Sequence, residues 1–346
     1  MQMRVFEKDI AVDIGTSSVL MFTRNEGIVL HEPTVVAVDK VSGKMVALGE
    51  DAKKTLGRTP ANMVAINPIA AGVISDYDMT ARMLKEYLGR ITSFSFFRPR
   101  VLVCVPGSIT GVEERAIVDA CIEAGARKVY LKENSVATAM GAGIDVTRPD
   151  GHLIIDIGGG TTDVAVVSLG GVVENESIKI AGTAFDEAII RYIRQKYNVL
   201  IGLKTAEELK IGIGCLYPRE HVLQEEVKGR CLATGMPKSV IISSEEILQA
   251  LEEPAARILE AVHMVLERTP PELVGDIAHN GIIMSGGGSL LYGIDELVHA
   301  STRIPVTVVE DPISCAVYGA GRALKDLNDM PDGMINLARR KQMSGK

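Results

Sequence analysis

Leu153-Ile-Ile-Asp-Ile-Gly-Gly-Gly-Thr-Thr-Asp163 decides the reading of this chain, because Ile10-Ala-Val-Asp-Ile-Gly-Thr-Ser17 says nearly the same thing near the start. Each is an apolar, β-branched run that ends in Asp, breaks into a Gly/Thr/Ser turn and resumes as an apolar run. That pattern predicts a buried strand, a tight turn and a second strand. Its chemistry is that of a phosphate clamp with a magnesium partner. Backbone N–H groups in a Gly-rich turn approach phosphate oxygens closely because no Cβ intervenes. The hydroxyls of Thr16, Ser17, Thr161 and Thr162 add donors. The carboxylates of Asp13 and Asp156 suit a hard cation that keeps its waters and bridges to phosphate. One such turn is a weak signal, but two copies in one chain predict duplicated domains with a nucleotide held between them.

Composition sets the bounds. The 346 residues are 47% hydrophobic, enough for a large core, and the length favours two domains. The net charge of −7, with both signs interspersed, argues against nucleic acid as a partner. No apolar run reaches spanning length, and Arg4, Glu7, Lys8 and Asp9 charge the start, so neither a transmembrane helix nor a signal peptide is expected. The five cysteines are scattered and odd in number, which reads as reduced core thiols in a cytoplasmic protein. The six histidines show no ligand spacing.

Along the chain, strands and helices alternate as an α/β protein requires. The first 50 or so residues read as strands. A helix is expected over Asp78–Gly89 with Asp78 as its cap, a buried strand over Arg100–Val105, and a helix over Val112–Gly125. A strand Lys128–Leu131 and a helix Ser135–Gly143 complete the first half. After the polar link Thr147–Gly151 the scheme repeats. Ala184–Tyr197 is expected as a helix, 204–255 as a charged mixed segment, and Pro254–Arg268 as another helix. The strand Gly281–Met284 then runs into Ser285-Gly-Gly-Gly-Ser289, a third glycine turn with a helix expected behind it. Glycines before a helix N-terminus make a ready anion or nucleotide-edge site, though a lone Gly turn is as well explained by loop punctuation.

Asp-Ile-Gly-Thr, Asp-Ile-Gly-Gly-Gly-Thr-Thr-Asp and Ser-Gly-Gly-Gly-Ser together resemble the actin-type ATPase fold. More specifically, the chain resembles the bacterial actin family MreB from about residue 8 to about 327. Further matching segments are Gly57–Pro60, Gly72–Tyr77, Thr205–Lys210 and Glu267–Leu273. The resemblance implies duplicated RNase H-like domains around a nucleotide cleft, in four subdomains. Residues 1–146 would form the first actin-like domain, with a small subdomain at about 32–78. Residues 147–314 would form the second, with a small subdomain at about 183–255. Residues 315–346 would return a helix to the first domain and end in a basic tail.

The same resemblance implies ATP and Mg²⁺ as cofactors, with Asp13 and Asp156 on the metal. Gly15, Thr16 and Ser17 would form the first phosphate turn, and Gly158, Gly159, Gly160 and Thr161 the second. Glu207, Glu208, Leu209 and Lys210 fall on the segment that meets ribose and base, and Gly286, Gly287, Gly288 and Ser289 on the adenosine turn. Asp163 matches the acidic position that helps place the attacking water. The family implies filaments at the inner face of the cell membrane, made of copies of the chain or of the chain with a paralogue. Cell-wall synthesis and membrane scaffold proteins are its implied partners, and cell shape its implied output.

One departure bears on catalysis. The family carries Glu-Glu-Pro before the helix that ends at Gly141-Ala-Gly143, and the Glu before Pro orients the water. Here that position is Asn134, within Lys132-Glu-Asn-Ser135. Asn can hydrogen-bond a water but cannot accept its proton. Glu133, one residue away at a strand end, would point to the opposite side. Asn134 read without the family is simply a good helix N-cap. Either way the general-base carboxylate is missing, so slow ATP hydrolysis is expected.

Phe94, Phe96 and Phe97 are three of the six phenylalanines. They read either as a buried strand end or as an exposed loop, given the interleaved serines, the preceding Gly89-Arg90 and the following Pro99. The family places a membrane-inserting loop here. Each inserted Phe contributes at most about 1.5–3 kcal/mol, so one protomer binds lipid weakly and a filament binds it firmly. The basic segment Leu337–Met343 reads as a second lipid contact or as a solvated tail. A small-molecule kinase on the same fold is the competing reading. It needs a base aimed at an acceptor hydroxyl, and no carboxylate remains unassigned for that role. A chaperone-type ATPase would need a substrate domain, for which no extension is present.

Overall fold

The computed structural model describes residues 8–57, 60–92 and 98–330. They divide into two compact units. One runs through Asp150 and takes in Val167–Asn175 and the residues from Ser314 onward. The other comprises Gly151–Val166 and Glu176–Ile313.

The described residues form two five-stranded sheets with the same topology. In the first, the order is Lys128–Glu133, Arg100–Val105, Asp9–Ile14, Ser18–Thr23, Gly27–Pro33. In the second it is Gly171–Ile178, Thr162–Ser168, His152–Ile157, Ile282–Ser285, Val306–Val308. In both, the first strand lies at the centre, its two successors in sequence fan out on one side, and two later strands fan out on the other. On that other side Asp9–Ile14 runs parallel to Arg100–Val105, and His152–Ile157 runs parallel to Ile282–Ser285. The central strands are buried on both faces, which is why Ile10, Ala11 and Val12, like Leu153, Ile154 and Ile155, form unbroken apolar runs and do not alternate with polar residues.

Smaller three-stranded sheets accompany each large one. Val36–Asp39, Met45–Leu48 and Met63–Ile66 form one, and Val199–Leu200, Gln224–Cys231 and Pro237–Ser243 the other. The last helix, Cys315–Ala323, packs in the first unit against Asn134–Gly141. The two helices meet through glycine. A Cβ on Gly319 would fall 1.7 Å from the Ala137 oxygen, and one on Gly141 2.0 Å from the Cys315 oxygen. Four of the five thiols are buried and none is in a disulfide. Among the described residues, no helix is long and apolar enough to cross a membrane.

Several element ends differ from the sequence reading, each for a local reason. The helix expected from Asp78 runs Tyr77–Thr92, and its cap is Asp76, whose Oδ1 accepts the Met79 N–H at 3.0 Å. The helix expected from Pro254 runs Ser244–Arg268 with Pro254 inside it. Its start is set by a reciprocal Ser243–Glu246 capping box, which satisfies two otherwise orphaned donors. A Thr110–Glu113 box does the same for Gly111–Glu123. Asn134 is not an N-cap. Glu133 holds that position without a side-chain cap bond, and Asn134 is the first helical residue. Behind Ser285–Ser289 comes a short 3-10 turn, Gly287–Leu290, and the α-helix begins only at Ile294.

Candidate functional site

In the first unit the site residues gather at the carboxyl ends of three parallel strands. Asp13 is in register with Cys104, and Cys104 with Lys132, so Asp13 lies in one row with the strand end that leads to Glu133 and Asn134. Glu133 is buried and Asp13 partly so. The Lys132 ammonium is depressed below its ordinary range by burial, against the pull of Glu133.

The turn after Asp13 closes with the Gly15 N–H donating to the Ser18 oxygen at 2.9 Å. It is backed from outside the hairpin. The Thr34 hydroxyl donates to the Gly15 oxygen at 2.8 Å, and the Thr34 N–H to the Ser17 oxygen at 3.0 Å. Asn67 Nδ2 donates to the Thr16 oxygen at 2.6 Å, and the Gly72 N–H to Thr16 Oγ1 at 3.0 Å. Thr16 therefore accepts with its oxygen and keeps its O–H available as a donor.

The second unit repeats the turn. The Gly158 N–H donates to the Thr161 oxygen at 2.9 Å, the same spacing from Asp156 as Gly15 has from Asp13. Its carbonyls are taken by the start of the helix Gly182–Tyr197, the Gly182 N–H to Gly158 at 3.1 Å and the Thr183 N–H to Gly159 at 2.8 Å. With the carbonyls occupied, the N–H groups face the other way. Among the described residues, no protein acceptor takes the N–H groups of Thr16, Ser17, Gly159 or Gly160. Rows of orphan donors at two glycine turns suit phosphate oxygens.

Asp156 and Ser285 are register partners, so the third glycine turn lies directly beside the second. Gly286 has φ +82°, and a Cβ there would meet the Ile157 oxygen at 2.3 Å and Asp156 Oδ1 at 2.4 Å. Only glycine fits. Ser285 and Ser289 are buried and brace the turn, donating to the Pro312 and Gly286 oxygens at 3.1 and 2.7 Å. Gly287 is exposed and Gly288 partly so.

The run 207–210 lies on the helix Leu203–Ile213, so its side chains fan around the axis. Leu209 fills the core, and Glu208 is exposed beside Lys204 at 3.8 Å. Glu207 and Lys210 share the remaining, partly buried side. Lys210 Nζ donates to the Gly182 oxygen at 3.0 Å and pairs with Asp186 Oδ1 at 2.8 Å. Burial raises the Asp186 carboxyl, and Lys210 opposes that rise. Asp163 is deeply buried. The Thr161 hydroxyl lies 3.4 Å from its Oδ2, while its Oδ1 has no protein hydrogen-bond partner. Burial pushes its pKa up, against the pull of Ser177 and Thr161.

Among the described residues no three His, Cys, Asp or Glu side chains gather into a cage for a metal. A Mg²⁺ here would draw on Asp13 or Asp156, on water and on phosphate oxygens, as this ion commonly does. Thr34, Asn67, Thr183 and Asp186 escaped the sequence reading, since nothing local marks residues that brace a turn from far along the chain. Phe94, Phe96 and Phe97 and the basic tail lie outside the described residues.

Comparison with known proteins accords with this architecture. The family profile described as MreB/Mbl protein matches residues 7–332. The cell shape-determining protein Mbl of Bacillus cereus is 45% identical over 328 residues, covering 94% of this chain and 98% of that protein. The cell shape-determining protein MreB of Escherichia coli K12 is 48% identical over 335 residues, covering 95% and 96%. Among solved structures, MreB5 of Spiroplasma citri bound to ADP has a TM-score of 0.90 at 37% identity, covering 93% of this chain and 98% of that one. The fold is the α/β actin-like ATPase fold. With two topologically matched sheets, two matched turns and a likeness that runs nearly end to end, the chain belongs to the MreB/Mbl family.

Proposed function

We propose that this chain is a nucleotide-switched bacterial actin. It binds ATP with Mg²⁺, assembles with copies of itself or with a paralogue into filaments at the inner face of the cell membrane, and helps set cell shape by organising wall synthesis. The observation that carries this reading is the repeated turn, Gly15–Ser18 and Gly158–Thr161, with its orphan N–H groups at the same place in both sheets. The names of the Bacillus and Escherichia relatives support the cell-shape role, and the ADP held by the Spiroplasma protein supports the nucleotide.

A Mg²⁺ held near Asp13 or Asp156 would supply positive charge to the phosphates. The chain's own residues supply the rest. Thr16, Ser17, Gly159 and Gly160 donate backbone N–H groups to phosphate oxygens, and Asp13 and Asp156 orient the hydrated cation. Glu207 and Lys210 face the ribose and base, and the turn Gly286–Ser289, brought against Ile157 and Asp156 by the missing Cβ of Gly286, meets the adenosine. Asp163, desolvated and with one oxygen unused by the protein, holds a water by accepting its proton in a hydrogen bond. Asn134 can orient that water but cannot take its proton, so hydrolysis is slow.

Electron microscopy of the purified chain on anionic lipid, with and without ATP and Mg²⁺, tests the reading. Filaments that lie flat on lipid and depend on nucleotide are expected. Their absence with every nucleotide, alone and with a co-expressed paralogue, would overturn it. Phosphate release from Asn134→Glu is expected to rise about a hundredfold, the lower end of general-base effects, and no rise would sink the catalytic part.

A further inference from the structure

The helix Gly182–Tyr197 begins against the second phosphate turn, and a lysine stands at that beginning. Cations are unfavourable beside a helix N-terminus, where the dipole is positive. The carbonyls there are already used by the helix itself, so backbone accounting asks for no further donor. Lys210 Nζ nevertheless donates to the Gly182 oxygen at 3.0 Å, with Asp186 Oδ1 at 2.8 Å to balance its charge. Both side chains are largely buried. A cation placed against the dipole and away from water calls for a role outside the helix.

The planar peptide group supplies one. The Gly182 carbonyl and the Thr183 N–H belong to one peptide, and that N–H donates to the Gly159 oxygen at 2.8 Å. The Gly159 carbonyl and the Gly160 N–H share the next peptide. The Gly160 N–H is one of the donors that no protein acceptor takes among the described residues. The bonds therefore run in series from the ammonium, through two peptides, to a phosphate donor. A Cβ built on Gly182 would lie 3.4 Å from the Gly158 oxygen and 3.5 Å from both the Gly159 Cα and Lys210 Nζ. Helix start, turn and ammonium thus meet at one point with no side chain between them.

We infer that Lys210 is a positioning residue for phosphate, whose charge acts on the Gly160 N–H through the peptides 182–183 and 159–160. A carbonyl that accepts from a cation polarises its own peptide, and the N–H on the far side becomes the stronger donor. The same series of bonds fixes the direction of that N–H. The inference rests on the reading that the second turn holds nucleotide phosphate, and it deepens that reading. The ammonium serves the phosphate from behind, and the stem of Lys210 is what remains for ribose and base.

Calorimetric titration of the full chain with adenosine, with inorganic tripolyphosphate and Mg²⁺, and with ATP and Mg²⁺ tests this. Tripolyphosphate has no ribose or base for the lysine stem to touch. Lys210→Met with Asp186→Leu removes the ammonium and its counter-charge together, so the net charge of the site is unchanged. It should weaken tripolyphosphate about tenfold, the lower range for a hydrogen bond to a charged group, and leave adenosine within about twofold. Thr183→Pro cuts the series at its middle link, in a first helical turn where proline is tolerated, and should weaken tripolyphosphate equally. Asp186→Asn loosens the ion pair but leaves the ammonium on Gly182, so tripolyphosphate should bind no more weakly than to wild type. Tripolyphosphate affinity that survives either cut overturns the inference, and a loss confined to adenosine would place the ammonium on the nucleoside. A loss in Asp186→Asn as large as in the cut variants overturns it too, since the ion pair alone would then hold the turn. So does a wild type that binds ATP but not tripolyphosphate, because its donors would not be set in advance. A wild type that binds neither removes the nucleotide reading itself.

Discussion

The two phosphate turns share a topology and a closing hydrogen bond, yet they are built differently. The turn at Gly15 is braced mainly through side chains, by the Thr34 hydroxyl, the Asn67 amide and the bond of the Thr16 hydroxyl to the Gly72 N–H, with one backbone bond from the Thr34 N–H to the Ser17 oxygen. The turn at Gly158 is braced by backbone, the Gly182 and Thr183 N–H groups, with Lys210 and Asp186 locking that helix start. It also abuts Gly286, where no side chain fits. Duplication therefore preserved the donor geometry and let the supports diverge. The second turn is a rigid cradle, and the first is tied by groups that a local shift can break.

The largest break in this contrast should come from Gly286→Ala. A methyl group at φ +82° would overlap the Ile157 oxygen and Asp156 Oδ1. Strain and overpacking together should cost on the order of 4 kcal/mol, read by urea denaturation, and nucleotide binding should be lost. Gly15→Ala is far milder, because φ there is ordinary and the nearest atom is the Ser18 oxygen at 3.0 Å. Equal effects at both positions would remove the distinction between cradle and tie.

Lys210→Met comes next. It strands Asp186, whose side chain is 12% exposed, so a buried charge loses its partner and about 3 kcal/mol of stability goes with it. Lys210→Met with Asp186→Leu should recover most of that loss, since replacing both members of a buried pair is often near neutral. A double variant as unstable as the single would mean that the Gly182 oxygen, not Asp186, is what Lys210 supports.

Asp163→Asn separates function from stability. Hydrolysis should fall about a hundredfold, within the usual range for groups that handle a water proton. Stability should move the other way. Burial holds the Asp163 carboxyl above its ordinary range, so as pH rises from the unfolded carboxylate range the folded state retains a proton that the unfolded state releases. Wild-type stability then falls through that window. The variant lacks this slope, so the two should match in acid and the variant should be the more stable at neutral pH. A variant less stable at neutral pH would mean that the ionised carboxylate has a partner worth more than its desolvation.

How much of this was legible follows from where the signals lie along the chain. The central strands could be read because runs such as Leu153–Ile157 are apolar on both faces, and the turns because glycine after Asp is a local mark. Helix starts were read less well. Asp76 and Asp78 are both good caps, and only the Met79 N–H chooses between them. Pro254 resembles a first-turn proline, whereas the Ser243–Glu246 box, which opens eleven residues earlier, carries the true start. The supports of the two turns were not legible at all. Thr34 lies 19 residues from Gly15, Gly72 lies 56 from Thr16, and Lys210 lies 28 from Gly182. Such pairings depend on tertiary packing that no local window contains. Leu209 shows the same limit from the other side, since its neighbours in sequence suggested a ligand and helix geometry turned it into the core.

Thr34→Val makes the smallest and most selective change. Valine keeps the volume of this fully buried residue and its N–H bond to the Ser17 oxygen, and removes only the hydroxyl that donates to the Gly15 oxygen. The cost should be about 1 kcal/mol, the ordinary net worth of one such bond. No side-chain deletion can do the equivalent at Gly158, where the donor is backbone. If the first turn is held by its ties, nucleotide affinity should drop along with stability in this variant, because the Thr16 and Ser17 N–H groups lose their aim. If affinity is untouched while stability falls, the turn keeps its shape without Thr34, and the two turns are equally rigid despite their different supports.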